Sequence, residues 1–310
     1  MREFIGHDRI ISSFKKRADT GNLSHAHLIV GEDGIGKSNL ARIFALKILN
    51  KEEYKDYVDI INYRPKKESF GVDEVREIID EVSKKPFEGD KKVIIIHEGN
   101  KLTTQAQNAL LKTIEEPPIG VFIILLCESL ELILDTIKSR CQIYKLTPIS
   151  KSELVEYIKF IKDDISEEEL LASIAYSEGI PGKAERFLTD TRLKELRELI
   201  LDLLKSLSKN DGEVLLSFEE KILEYKDNKE EILNILASFI RDLMVYKEVY
   251  DYSVIINGDK IEELQQLAID MSYRKLNSLL DKIREARVNL MSNSNFAITI
   301  RVMLIGFMEV

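Results

Sequence analysis

Residues 31–38 read Gly31-Glu32-Asp33-Gly34-Ile35-Gly36-Lys37-Ser38, and the fold of the first half of the chain follows from how that stretch is read. Three glycines in so short a span let a backbone curl until its N–H groups converge on one anion. Lys37 adds a mobile cation and Ser38 a hydroxyl, completing the G-x-x-x-x-G-K-S pattern of a phosphate-binding loop. Its surroundings agree. His27-Leu28-Ile29-Val30 is a short apolar run that reads as a buried strand, and residues 37–49 have helical spacing. A strand, a glycine turn and a helix place bound phosphate at the positive end of the helix. In this reading Gly31, Gly34 and Gly36 form the cradle, Lys37 reaches the outer phosphates and Ser38 ligates magnesium.

Outward from the loop, the first 147 residues alternate helical and strand spacing. Residues 8–20 are expected to be helical. Val72, Val75, Ile78, Ile79 and Val82 recur at helical intervals and predict an amphipathic helix over 72–84. Residues 103–115 predict another, stopped by Pro117-Pro118. Strands are expected at 59–63, 93–96, 121–126 and 142–144. The run Val93-Ile94-Ile95-Ile96 is apolar on both faces, as a central parallel strand would be. This alternation predicts an α/β unit whose parallel sheet is covered on both faces. From Lys151 onward the apolar residues keep a helical period, with breaks at Gly179–Gly182 and Ser206–Gly212. Three domains are expected, at 1–147, 148–204 and 205–310.

Composition narrows the functional classes. Of 310 residues, 44% are hydrophobic and 32% charged, which suffices for more than one core. A net charge of −9 argues against coating DNA by bulk electrostatics, while leaving contact through a few basic residues open. Cys127 and Cys141 are too few for a disulfide framework and fit a reducing, cytoplasmic compartment. Met1–Ile5 lacks the apolar segment of a signal peptide, and no uncharged apolar run is long enough to span a bilayer.

A phosphate loop that hydrolyses nucleotide needs a carboxylate at the end of a neighbouring strand to hold magnesium. After residues 93–96 the chain instead reads His97-Glu98. Imidazole is a poor ligand for a hard cation. Glu98 stands where a water-activating base could be, but a base without a well-held metal is a weak catalyst. ATP with magnesium is therefore expected to bind weakly or not at all in the chain's own site. The four histidines show no ligand spacing, and no metal site is expected.

Three further stretches resemble the clamp-loader branch of the AAA+ ATPases. They are Ile5-Gly6-His7 with Ser24–Leu28, the block from Lys91 to Pro118, and Ile133–Gln142, which carries Ser139-Arg140-Cys141. The resemblance covers about the first 190 residues, and beyond them only a helical character similar to that family's collar is seen. It implies a RecA-like AAA+ P-loop domain with a parallel sheet, a small helical lid domain and an all-α collar domain. In the family, the Ser-Arg-Cys arginine acts in trans on ATP bound by the adjacent subunit. Arg140 matches that finger, with Ser139 beside it, and a planar, permanently charged fork suits phosphate oxygens.

The departures from the family pattern are as informative. Relatives with an active site carry Asp at His97, a small polar residue at Cys127 and a lid arginine where this chain has Gly182. They often insert four zinc-binding cysteines after the P-loop helix, whereas residues 50–58 contain none, so no zinc is expected. An incomplete ATP site with an intact finger resembles the delta-prime type of subunit, and Lys101-Leu102-Thr103 agrees. The resemblance implies a heteropentamer with gamma/tau motor subunits and a clamp-opening delta subunit, loading the sliding clamp onto primer-template DNA within the DNA polymerase III holoenzyme. Two other readings stay open: an active motor ATPase of the same family, and a stand-alone pseudo-ATPase adaptor outside replication.

Overall fold

The computed structural model describes residues 4–67, 69–208, 212–249 and 254–309. Five segments become strands: β1 (Ala26–Val30), β2 (Ile60–Tyr63), β3 (Lys92–Ile96), β4 (Val121–Cys127) and β5 (Gln142–Lys145). All pair in parallel, in the order β2-β3-β4-β1-β5. The register sets Leu28 beside Leu125 on one side and Ile143 on the other. Every residue of β1 and β3 is buried, which explains their unbroken apolar reading.

Successive residues of a strand face opposite sides, so the sheet builds two cores. On one face Leu28, Ile94, Ile96, Ile123 and Leu125 pack with α3 (Val72–Ser83) and α4 (Thr104–Glu115). On the other, Ile29, Val93, Ile95 and Ile124 pack against Phe14 of α1 (Asp8–Asp19) and Phe44 of α2 (Lys37–Ile48). The sequence boundaries hold to within a residue or two. The short α5 (Asp135–Lys138), which leads into Arg140, has too few residues to show a period and was legible only as part of a motif.

The chain divides into two compact units, Met1–Tyr157 with Gly179–Gly182, and Ile158–Glu178 with Lys183–Val310. Helices α6 (Lys151–Ile161) and α8 (Pro181–Thr189) each contribute to both, while α7 (Glu167–Ser177) lies in the second. The rest of the second unit is α9 (Thr191–Ser208), α10 (Gly212–Leu223), α11 (Lys229–Glu248), α12 (Ile261–Asp270), α13 (Tyr273–Met291) and α14 (Phe296–Met308). Its core runs from Leu193 to Phe307 through Leu236, Phe239 and Leu279. Inside it the Arg197 guanidinium donates to both Asp259 oxygens at 2.9 and 2.8 Å and to Asn257 at 3.0 Å. The expected break at 179–182 covers the end of the α7–α8 connection and the first two residues of α8; that at 206–212 lies partly outside the described residues. Among the described residues no helix is long and apolar enough to cross a membrane.

Candidate functional site

The carboxyl ends of β1, β3 and β4 bring together Gly31, His97 and Cys127. Gly34 and Gly36 adopt left-handed φ of 79° and 102°, which only glycine takes freely, so the loop 31–38 can wrap back onto the start of α2. The Gly31 N–H donates to the Cys127 carbonyl at 3.1 Å and ties the loop to β4. Lys37 folds onto its own loop, Nζ donating to the Gly31 and Glu32 carbonyls at 2.7 and 2.8 Å. Burial pulls its ammonium below the ordinary lysine range, opposed by the nearby Asp33 and Glu128.

His97 occupies the position after β3. Burial, reinforced by the Arg64 charge, lowers its imidazole to about 4, so it is neutral near pH 7. Its Nε2 lies 2.9 Å from Asn62 Oδ1 and its Nδ1 lies 3.3 Å from the Ser38 hydroxyl. One tautomer satisfies both contacts: Nε2–H donates to Asn62, and Nδ1 accepts from Ser38. The hydroxyl that would ligate magnesium therefore has an imidazole for a neighbour, not a carboxylate. A cavity of about 440 Å³ opens beside this pair, lined in part by Arg42, Asn62 and Arg64. Glu98 adopts φ 52°, an uncommon value for a non-glycine residue, and its carboxylate pairs with Lys101. Burial pushes the Cys127 thiol up to about 12, leaving a neutral, weakly polar group at the end of β4.

The loop is also covered by its own chain. Gly182, at the start of α8, donates its N–H to the Gly34 carbonyl at 2.9 Å. A Cβ at Gly182 would come within 2.7 Å of Gly34 Cα, so any side chain there would force the backbone to shift. The Phe4 ring lies over Gly36, at 3.0 Å from where a Cβ would be. The donors present, a lysine ammonium and glycine N–H groups, suit phosphate; the set next to Ser38 does not suit magnesium. Among the described residues no group of His, Cys, Asp and Glu is placed to hold a metal ion.

Arg140 lies elsewhere, just past α5 and exposed. Its Nη1 donates to the Thr136 carbonyl at 2.8 Å and to the Ser139 hydroxyl at 3.2 Å, and its Nε pairs with Glu115 at the end of α4. Ser139 in turn donates to the Thr136 carbonyl at 3.1 Å. The structure thus keeps Gly31, Gly34, Gly36, Lys37, Ser38 and His97 together, turns Glu98 toward Lys101, and sets Ser139 and Arg140 apart. Sequence reasoning passed over Asn62, Phe4, Glu115 and Gln107. The last is buried on α4, donating to the Leu102 and Leu132 carbonyls at 3.2 and 3.0 Å and accepting from the Leu134 N–H at 2.8 Å. Its signal was present: a polar residue in line with Leu110 and Ile114 on an apolar stripe needs buried partners.

Comparison with known proteins places these features. The family described as DNA polymerase III, delta subunit, matches residues 6–150, and its C-terminal family matches 191–308. The second match reaches the helical region where sequence alone gave no more than a helical character. The chain is 24% identical to DNA polymerase III subunit delta' of Bacillus subtilis over 307 residues, covering 93% of this chain and 92% of that protein. It is 30% identical to the delta' subunit of Yersinia pestis over 230 residues, covering 73% and 66%. It is also 34% identical over 197 residues to DNA polymerase III subunit gamma of Buchnera aphidicola, where it spans about half of either chain, 56% and 54%. In fold it is similar to a DNA polymerase III gamma subunit-related protein from Thermotoga maritima, with a TM-score of 0.57, 22% identity and coverage of 96% and 98%. With both family matches and the delta' relatives spanning sheet and helical regions alike, the chain belongs to the DNA polymerase III clamp-loader subunits of the delta-prime kind.

Proposed function

We propose that this chain is a non-hydrolysing member of its clamp loader, which completes the ATP site of an adjacent motor subunit with Arg140. The carrying observation is the Ser38–His97 contact, which puts a neutral imidazole where a magnesium carboxylate is needed. The Gly182 backbone on Gly34 supports the same reading, since a lid arginine there would force the backbone to shift. Arg140, by contrast, remains exposed and keeps both Nη2 N–H groups without an acceptor among the described residues.

In this proposal the chain works in the cytoplasm as a 1–147 AAA+ domain, a 148–204 lid and a 205–310 collar. Its partners are gamma/tau motor subunits and a delta subunit, and the assembly loads the sliding clamp onto primer-template DNA. ATP and magnesium are weak or absent ligands of its own loop, and zinc has no part. The gamma-named relatives favour a motor role as the second reading. The test is a complex reconstituted with motor and delta subunits, assayed for DNA-stimulated ATPase and clamp loading. Arg140→Ala should assemble normally and lower both rates. Wild-type rates from a complex shown to contain the variant would refute the finger, and magnesium-dependent turnover by the isolated chain would favour the motor reading.

A further inference from the structure

A guanidinium has five N–H groups, and what a phosphate can use depends on which are already taken. In Arg140 three are taken up: both of Nη1 donate to the Thr136 carbonyl and the Ser139 hydroxyl, and Nε is held in an ion pair with the Glu115 carboxylate. The Nη2 pair alone is unengaged among the described residues. Two of the three acceptors lie within four residues of Arg140 on α5 and its end, and would follow the side chain wherever that segment moved. Glu115 does not. It sits on α4, which Pro117 and Pro118 end firmly, and whose Gln107, about two turns earlier, grips the Leu132–Leu134 segment from which α5 starts.

Glu115 is also misplaced for its own helix. A carboxylate in the last turn opposes the helix dipole, and Glu116 beside it worsens the repulsion. A local choice that disfavours its element is explained when a contact elsewhere requires it, and among the described residues the ion pair Glu115 makes is with Arg140.

We infer that Glu115 is a positioning residue for the arginine finger: it fixes the Arg140 guanidinium by its Nε edge so that the Nη2 N–H groups face outward, toward the phosphate of a neighbouring subunit's nucleotide. This rests on the finger reading of Arg140. Three reconstituted complexes test it, carrying Glu115→Gln, Arg140→Ala or both, with steady-state ATPase followed against ATP concentration. Glutamine keeps the size of the side chain and removes the charge. Glu115→Gln should lower kcat by about fivefold or more, as misplacement of a catalytic group does, and leave the KM for ATP unchanged. Added to Arg140→Ala, it should lower kcat no further. Glu115→Asp should fall between wild type and Glu115→Gln, since the charge returns on a shorter arm. A wild-type or raised kcat for Glu115→Gln overturns the inference, as does an equal loss in the Arg140→Ala background, which would show a structural role. If Arg140→Ala alone keeps the wild-type rate, the finger reading falls and takes the inference with it.

Discussion

The Ser38 hydroxyl donates to Nδ1 of His97 at 3.3 Å, and the far side of that imidazole donates to Asn62 at 2.9 Å. A chain of neutral hydrogen bonds closes the position from which a P-loop ATPase directs magnesium. The purified protein should accordingly hydrolyse ATP negligibly, and a turnover near the enzyme median of about 10 s⁻¹ would contradict this. His97→Asp should raise magnesium-dependent nucleotide affinity by about tenfold, one good hydrogen-bonded charge being worth roughly 1.4 kcal/mol or more. It should leave hydrolysis low, because Gly182 still supplies no guanidinium. Titration with a fluorescent nucleotide, with and without magnesium, measures the first effect and phosphate release the second.

Gly182 and Gly34 make the second prediction. Adding one methyl at Gly182 puts a carbon 2.7 Å from Gly34 Cα and 2.9 Å from its carbonyl oxygen, both backbone atoms that cannot rotate away. Gly182→Ala should lower stability by about 1–3 kcal/mol, the usual consequence of overpacking, read as the shift in urea midpoint. A neutral result would mean that the start of α8 lifts from the loop easily.

The sheet was legible because β1 and β3 are buried on both faces, so apolar runs and strand positions coincide. The loop was legible because its chemistry depends on glycine and lysine at fixed spacing. What closes the loop was not, since Phe4 and Gly182 are distant in sequence and meet Gly36 and Gly34 only after folding. The orientation of Glu98 was equally hidden, for it depends on a left-handed backbone at that residue and on Lys101 three positions later. Gln107 and Glu115 lay between these cases: each broke a local rule visible in sequence, but the partner that explains it is found only in the fold.

His27 provides a pH test. It is buried among Phe14, Phe44 and Tyr144, its Nε2 has no hydrogen-bond partner among the described residues, and burial lowers it to about 4. Above about pH 6.5 the residue is neutral in both folded and unfolded chains and has no linkage effect. Between 6.5 and 4 only the unfolded chain takes up the proton, so stability falls as pH falls, by up to about 3 kcal/mol for this residue. His97, also lowered to about 4, adds a loss of the same sign. Urea unfolding at pH 7.5 and 5 should show this drop, and His27→Leu should show a smaller one. An unchanged pH slope in the variant would exclude His27 as a source.

In the second unit Arg197 is 5% exposed at its side chain and Asp259 is 20% exposed. That asymmetry decides which half of the pair matters more. Removing Asp259 strands a buried guanidinium, whereas removing Arg197 leaves a carboxylate that water can still reach. Asp259→Ala should therefore cost about 3–5 kcal/mol and Arg197→Met distinctly less, helped by the Phe187 ring 4.5 Å from the guanidinium carbon. Denaturation of both variants checks the order, and equal losses would contradict it.

Arg140→Lys separates a fork from a charge. Arg140 and Glu115 are both partly exposed, with side chains 39% and 42% accessible, so losing their pair should change stability by no more than about 0.5 kcal/mol. A lysine at 140 has a single Nζ. Its attraction to Glu115 would hold that ammonium at the chain's own carboxylate, and nothing equivalent to Nη2 would remain to face outward. In the reconstituted complex Arg140→Lys should therefore perform little better than Arg140→Ala in DNA-stimulated ATPase and clamp loading. Total rates would fall by less than the roughly 10³–10⁵ that an arginine finger contributes at one site, because other motor sites in the ring keep their own fingers. Pairing Arg140→Lys with Glu115→Gln frees the ammonium and should recover a small part of the loss. Full activity from Arg140→Lys alone would show that a point charge suffices and that the held, outward-facing fork is not what the neighbouring site uses.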